Sequence, residues 1–471
     1  MIKNPLFTLL FILGFGIAFS QTNVSGGIYN NVTWTLSGSP YIVTGNIVVF
    51  PGKTLSIEPG VEVRVQGNGY PNSMGISIEI RGMLVAVGTA TAPITFKADG
   101  IVTDPYTWSG IYVKTAQGGD AAFDYVNFSN AYTAFLSDQF SVRPGITTLH
   151  SCNFTHNQFG PSPWFTTRFE DCNFSSNYVG VQPMGTYGVG LQLLRCDFDS
   201  NQVAFPYVYD TVTVDSCNFV NNNTPVISLA NGTVTNTLFQ GNLIAFSGYG
   251  ARISNCQFIN NGTAISNFSS GSLSNCMIRY NQLGVEITGE AEMRDNDVSS
   301  NQVGVKIYDN VVGFVDNRIC GNVQYNVENA ADKNISLVSN CFCESDSTVA
   351  EQLLFDGYDD ITRGLFNYAI YDSSCTNVLQ LVSKVLIPTG TPEVKLALIS
   401  VYPNPVSDVL NVQLPAGNST GAIKLLNLQG QVLRVVPARA LTRIEVADLS
   451  AGVYLLDFQG ADRQVVKWIK Q

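Results

Sequence analysis

Nine asparagines recur at a nearly constant interval: Asn157, Asn177, Asn201, Asn222, Asn242, Asn261, Asn281, Asn301 and Asn322. The steps between them are 20, 24, 21, 20, 19, 20, 20 and 21 residues. Such an interval marks a chain built by stacking one short unit along an axis. The surroundings keep the same frame. Five positions before each Asn stands a thiol or small polar residue: Cys152, Cys172, Cys196, Cys217, Thr237, Cys256, Cys276, Asn296 and Asn317. Three positions before it stands an apolar one: Phe154, Phe174, Phe198, Phe219, Phe239, Phe258, Ile278, Val298 and Ile319. A two-residue offset puts both columns on one face of a strand. Three positions after most of the asparagines comes Gly, Ala or Pro, and a second alternating apolar run follows, as in Val285 and Ile287.

Each repeat therefore reads as strand, tight turn carrying Asn, strand, looser turn. No helical period is found between residues 30 and 370, and the Leu-x-x-Leu-x-Leu frame of leucine-rich repeats is absent. The predicted fold is all-β, a parallel solenoid whose coils stack about 4.8 Å apart. Stacking accounts for the asparagines. A column of amides can donate to one neighbour and accept from the other, so it satisfies its own polar groups. A lone buried amide would cost a few kcal/mol.

The segments GNIVVFPGKTLSIEPGVEVRV (45–65) and IRGMLVAVGTATAPITFKA (80–98), with FDGYDDITRGLFNYAIYDSS (355–374) near the end, resemble the opening coils and acidic closing segment of right-handed parallel β-helix proteins of the pectate-lyase-like fold. That resemblance covers about residues 30–370 and implies a fold rather than an activity. Residues 21–120 are read as the cap and first coils, 121–345 as regular coils and 346–378 as the C-terminal cap.

The ends of the chain set its destination. Residues 1–20 carry Lys3, an apolar run from Leu6 to Ile17 and a small-residue exit, the pattern of a secretory signal peptide cleaved before Gln21. The run is short for a transmembrane helix, and no other segment qualifies. After a linker at 379–399, short alternating strands with Gly and Pro turns over 400–471 predict a small β-sandwich. Tyr402-Pro403-Asn404-Pro405, then Leu449-Ser450-Ala451-Gly452-Val453-Tyr454, then Lys467 and Lys470 resemble, in order, the motifs of the type A C-terminal sorting domain of the Bacteroidetes type IX secretion system. The resemblance implies passage through the periplasm, the secretion machinery as a partner, and a final place outside the cell or on the outer-membrane surface.

A formal charge of −11 argues against nucleic acid or anionic lipid as partner, since both need clustered Lys and Arg. Six of the ten cysteines (Cys152, Cys172, Cys196, Cys217, Cys256 and Cys276) share one inward column, where neighbours point the same way at coil spacing. A disulfide requires closer β-carbons, so these six read as a stack of small hydrophobes. Cys320, Cys341, Cys343 and Cys375 lie where the repeat fades and are open to pairing within the cap. Cys341-x-Cys343 is too tight for the usual zinc knuckle, so no metal and no cofactor is assigned. Asp356, Asp359 and Asp360 read as turn formers, with calcium as the alternative.

Among titratable groups, His150 and His156 flank Cys152 six residues apart, which is not the spacing of a helical metal pair, and His156, just before the Asn turn, is expected to face water. Glu170, Asp171, Arg195, Asp197, Asp199 and Asp215 fall on consecutive coils, and of these Asp171, Arg195, Asp197, Asp199 and Asp215 are the candidates for a carboxylate-based catalytic centre. Asp171 and Arg195, one rung apart, are expected to pair. The aromatics Phe159, Trp164, Tyr178, Tyr187, Tyr207 and Tyr209 cluster near two lengthened coils, 137–145 and 184–190, and such insertions often mark a binding side. Flat rings beside amides suit sugar rings, which have apolar faces and polar rims. Asp210-Thr211-Val212 and Asp346-Ser347-Thr348 resemble bacterial O-glycosylation triplets. The leading expectation is a non-catalytic surface protein for adhesion or glycan contact. The alternatives are a polysaccharide lyase or glycoside hydrolase, and a structural spacer.

Overall fold

The structure, a computed structural model, describes residues 21–67, 75–100, 107–137, 147–164, 166–184, 190–204, 206, 212–223, 227–229, 231–368, 371, 375, 400–414, 421–427, 431–459 and 463–471. Residues 1–20, expected to be a signal peptide, residues 379–399, expected to be a linker, most of both coil insertions, Tyr187, Tyr207 and Tyr209, and the Asp210-Thr211 part of one triplet lie outside these residues. The chain divides into two compact units, Met1–Leu386 and Ile387–Gln471.

The first unit is a parallel β-solenoid. Among the described residues its strands form sheets of 18, 13 and 7 strands and a two-stranded sheet near the end, every pairing between coils being parallel. A regular coil contributes one strand to each sheet, as in Ala251–Ser254, Gln257–Ile259 and Thr263–Ser269. That is one strand more than the repeat suggested. The extra corner falls just before the thiol column, where single residues such as Asn236, Asn255 and Asn275 take φ between 51° and 56°. The second corner falls just before each ladder asparagine. There Ser176, Ser200, Asn221, Asn260 and Ser300 take φ between 55° and 59°. Left-handed backbone costs most residues about 1–2 kcal/mol, which explains why Ser, Asn, Asp and Gly crowd these two positions.

In-register stacking fills the core. Phe96, Phe128, Phe154, Phe174, Phe198, Phe219, Phe239 and Phe258 form one continuous pile, with successive ring centroids 4.4–5.5 Å apart. All eight are fully buried. Each contributes about 1.5–3 kcal/mol of burial, and offset stacking adds about 0.5–1.5 kcal/mol per contact.

The asparagine ladder runs beside this pile. From Asn157 to Asn301, each Nδ2 donates to the Oδ1 of the next rung at 2.9–3.1 Å. Each backbone N–H donates to the same oxygen at 2.8–3.0 Å. The ladder ends when Asn322 donates to Asn326.

The thiol column behaves as expected over most of its length: all six cysteines are buried and unpaired to one another by disulfides. Their thiols donate to the carbonyl two residues back or to one in the preceding coil, as Cys196 Sγ does to Leu194 O at 3.5 Å and Phe169 O at 3.4 Å. Asn296 and Asn317, however, are not mere fillers of this column. With Asn340 they form a second amide ladder, Asn296 Nδ2 to Asn317 Oδ1 at 2.9 Å and Asn317 Nδ2 to Asn340 Oδ1 at 2.9 Å.

The cap departs from the all-strand reading. Ser347–Glu351 is a short helix, and Asp346 caps it by accepting from Thr348 N at 2.8 Å. Asp356, Asp359 and Asp360 hold turns: Asp356 accepts from the backbone N–H groups of Tyr358 and Phe366, Asp359 from that of Asp356, and Asp360 from that of Thr362. The four late cysteines are joined as Cys320–Cys343 and Cys341–Cys375.

The second unit consists of a three-stranded and a four-stranded antiparallel sheet around its own core, which includes Leu410, Val412, Leu425, Leu456, Phe458 and Trp468.

Candidate functional site: a polar and aromatic flank of the early coils

The residues just after the ladder point outward. Thr133 pairs with Phe159, and Phe159 bridges Val179, so Tyr132, Gln158, Tyr178 and Gln202 fall in one external column that continues to Asn223. Tyr132 is 47% exposed and Tyr178 50%. Two coils separate them, about 9.6 Å. Phe159 is half-buried, its ring edge-on to Tyr132 at 5.5 Å. Asn223 Nδ2 donates to Gln202 Oε1 at 2.8 Å. Trp164 is half-buried, its backbone N–H held by Ser137 Oγ at 3.0 Å. Tyr132 was not among the predicted aromatics, because its rung carries Ala131 in place of the ladder Asn. The hydrogen bond from Ala131 N to Asn157 Oδ1 shows that it belongs to the same frame.

The charged candidates separate into three groups. Asp171 and Arg195 pair as expected, with Nε and Nη2 donating at 2.7 and 2.8 Å. Arg195 also reaches Glu170 at 2.6 Å, and Arg168 joins Glu170 at 3.2 Å. Asp197 stands apart in an external amide column with Asn153, Asn173 and Asn218, accepting from Asn218 Nδ2 at 2.7 Å. Desolvation pushes its carboxyl up, Asn218 opposes this, and Asp199 and Asp171 add repulsion. Asp199 is exposed beside Ser200, and Asp215 is held by Thr235 and Asn236. Neither of the two clefts found elsewhere on the first unit is lined by any of these carboxylates.

The residue that sequence reasoning set aside is His150. Its Nδ1 lies 2.7 Å from Asp124 Oδ1, its Nε2 lies 3.4 Å from Ser151 Oγ and 3.5 Å from Asp171 Oδ2, and Tyr125 meets its ring edge-on. This has the connectivity of a Ser–His–Asp relay. The Ser151 N–H, however, is spent on Glu170 O, and Asp171 competes for Nε2. The corner is an ionic network in which His150 and Arg195 bracket Asp171.

The network has a pH signature. Desolvation alone would lower the His150 pKa, but the Asp124 hydrogen bond and the charges of Asp124 and Asp171 outweigh it, and the net shift is upward from 6.5. Its stabilising contribution is therefore complete below 6.5 and fades as pH rises through the higher folded value. Asp171 and Glu170 are held low, first by hydrogen bonds from Arg195, so their contribution fades only as pH falls below the ordinary carboxylate range. Proton NMR of the His150 ring should give a midpoint above 6.5, and Asp124→Asn should lower it. An unchanged midpoint in that variant would remove Asp124 from the account.

In the second unit, the three sorting motifs meet at one edge. Asn404 Oδ1 accepts from Ile469 N at 2.7 Å, and Val406 N donates to Ile469 O at 2.9 Å. Gly452 pairs in register with Lys470, and the next strand residues bring Leu455 opposite Lys467. Tyr454 stacks on Trp468 with centroids 5.0 Å apart, and its hydroxyl donates to Ser450 O at 2.8 Å. Tyr402, Pro403 and Pro405 lie on the same entering segment, and Lys470 is buried.

Comparison with known proteins agrees with this division. Residues 400–471 match the family model of the secretion system C-terminal sorting domain. "Protein bark beetle" of Drosophila melanogaster is 35% identical over 77 residues, which is 16% of this chain and 2% of that protein. Among solved structures, the A-module of mannuronan C-5 epimerase AlgE4 of Azotobacter vinelandii is 13% identical, with 68% of this chain and 89% of that chain covered and a TM-score of 0.31. A capsular polysaccharide depolymerase, tailspike protein gp49 of Acinetobacter baumannii bacteriophage Fri1, is 11% identical, with 94% and 73% covered and a TM-score of 0.27. At these values neither neighbour bears on activity. Among the described residues no helix is long and apolar enough to cross a membrane. The chain is a parallel β-helix carrying a type IX secretion C-terminal sorting domain, cargo that the secretion machinery exports to the cell surface or the extracellular space.

Proposed function

We propose that the exported β-helix is a non-catalytic glycan-contacting protein, and that the external column Tyr132–Gln158–Tyr178–Gln202–Asn223 is its contact face. The observation that carries this reading is the alternation of exposed rings and amides at coil spacing. Two tyrosines about 9.6 Å apart match the length scale of a disaccharide, and the amides between them can bond its hydroxyls. The rigid ladder beneath fixes that spacing, so little ordering entropy is lost on binding.

The test is retention of the purified chain on immobilised pectin, alginate and host glycans. The wild type should be retained by at least one of them, and Tyr132→Ala with Tyr178→Ala should lose most of that retention while keeping its fold. Equal retention of the double variant would move the face elsewhere. The second reading, a polysaccharide lyase or hydrolase, draws support from the His150–Asp124 contact, which gives a histidine poised for proton transfer. Released oligosaccharide that disappears in His150→Ala would favour it over the first.

A further inference from the structure

We propose that Cys320, Cys341, Cys343 and Cys375 form, in the reduced chain, a tetrathiolate site for a soft divalent ion, with zinc the ion that best fits four sulfurs. The four Sγ atoms all lie within 4.8 Å of one another, and three of the four residues are buried. Two independent bridges have no reason to touch, yet Cys343 Sγ also sits 3.4 Å from Cys375 Sγ, across the two disulfides. A tetrahedral site with Zn–S bonds of about 2.3 Å needs sulfurs about 3.8 Å apart, within the span of this cluster.

The surroundings suit thiolates. Cys343 N–H donates to Cys341 Sγ at 3.3 Å. A zinc tetrathiolate carries two negative charges, and the cleft of about 420 Å³ against Cys320 and Cys343 is lined by two cations, Arg279 and Arg318, and one carboxylate, Glu344. Both guanidiniums share a single carboxylate, Asp297, and Arg279 Nε is buried with no hydrogen-bond partner. Phe342 is fully buried between two of the ligands. The ligands come from the last strands and the closing segment, so an ion would tie Cys375 to the final coil as the disulfides do.

No electrons move when the ion binds. Four S–H bonds are replaced by four S–Zn bonds, and the protons pass to water. The chain is synthesised with ten thiols, and six of them belong to the inner column. Zinc held at the cap would keep its four from pairing with those six until disulfide exchange forms the two bridges, two equivalents of an external disulfide taking up the four electrons to become dithiols and the ion being released.

The test uses the full purified chain kept reduced in metal-free buffer. Added zinc should remain after gel filtration at a single ion per chain, and cadmium should produce the ultraviolet thiolate charge-transfer band. Cys320→Ser with Cys343→Ser should lose both signals, whereas Cys152→Ser with Cys172→Ser should keep them. Absence of retained zinc and of the band in the reduced wild type would overturn the proposal, as would an undiminished band in the Cys320/Cys343 variant. The wild-type readings stand even where a variant fails to fold.

Discussion

Asn222→Ala is expected to destabilise the β-helix by roughly 3–6 kcal/mol, because it removes the five side-chain hydrogen bonds of a buried junction at about 0.5–1.5 kcal/mol each. Asn222 Oδ1 accepts from both N and Nδ2 of Asn201 at 3.0 Å. Its Nδ2 donates to Phe198 O and Val220 O at 3.1 Å, as well as to Asn242 Oδ1. Alanine removes this junction, and at 1% exposure no water is at hand to replace it. Asn222→Asp should be worse than alanine. It keeps the acceptor but turns a second oxygen toward Phe198 O and Asn242 Oδ1, and it buries a charge. Asn157→Ala should cost less, since among the described residues its oxygen accepts from the Ala131 N–H alone. The double variant Asn201→Ala, Asn222→Ala should lose less than the sum of the singles, because it removes the groups that the second change orphans. Urea denaturation of these four variants, with Asn201→Ala as the missing single, gives the comparison. An aspartate variant as stable as the wild type would show that the ladder's direction of donation carries no energy.

Why the ladder could be read from the sequence and His150 could not has a physical basis. A parallel stack repeats each environment once per coil, so residue identity at a fixed frame reports a column directly. The Phe pile and the nine asparagines were legible for that reason, and so was the Asp171–Arg195 pair one rung apart. Contacts that join corners of unequal coils leave no such periodic trace. Asp124 meets His150 across 26 residues that include an insertion, and nothing in the local sequence marks either as a partner. The second amide ladder was missed because its last step, Asn317 to Asn340, is 23 residues and lies where the frame decays. The third strand of each coil was missed because Gly, Ala and short apolar runs there resemble a loop until neighbouring coils pair with them. The four late cysteines follow the same rule, since their clustering depends on how the closing segment folds back and not on their spacing.

Removing residues 400–471 is expected to abolish appearance of the protein outside the cell while leaving the β-helix folded. Among the described residues each unit has a hydrophobic core of its own, and none of the solenoid core residues lies within 400–471. The export signal itself depends on a small fold. A unit of this size has about 4–11 kcal/mol of stability in all, and Trp468 is its largest fully buried side chain. Trp468→Ala should cost about 3–5 kcal/mol, enough to unfold a substantial fraction of the tail and to separate Asn404 and Tyr454 from the last strand. Trp468→Phe is the informative control. Its ring still stacks on Tyr454, and the change removes an indole N–H that has no partner in the core, so stability and export should both be nearly retained. Immunoblots of periplasmic and external fractions from the native host would show the truncated chain and Trp468→Ala held in the periplasm, with Trp468→Phe outside. Export of the truncated chain at wild-type level would mean that the address lies in the β-helix and not in the tail.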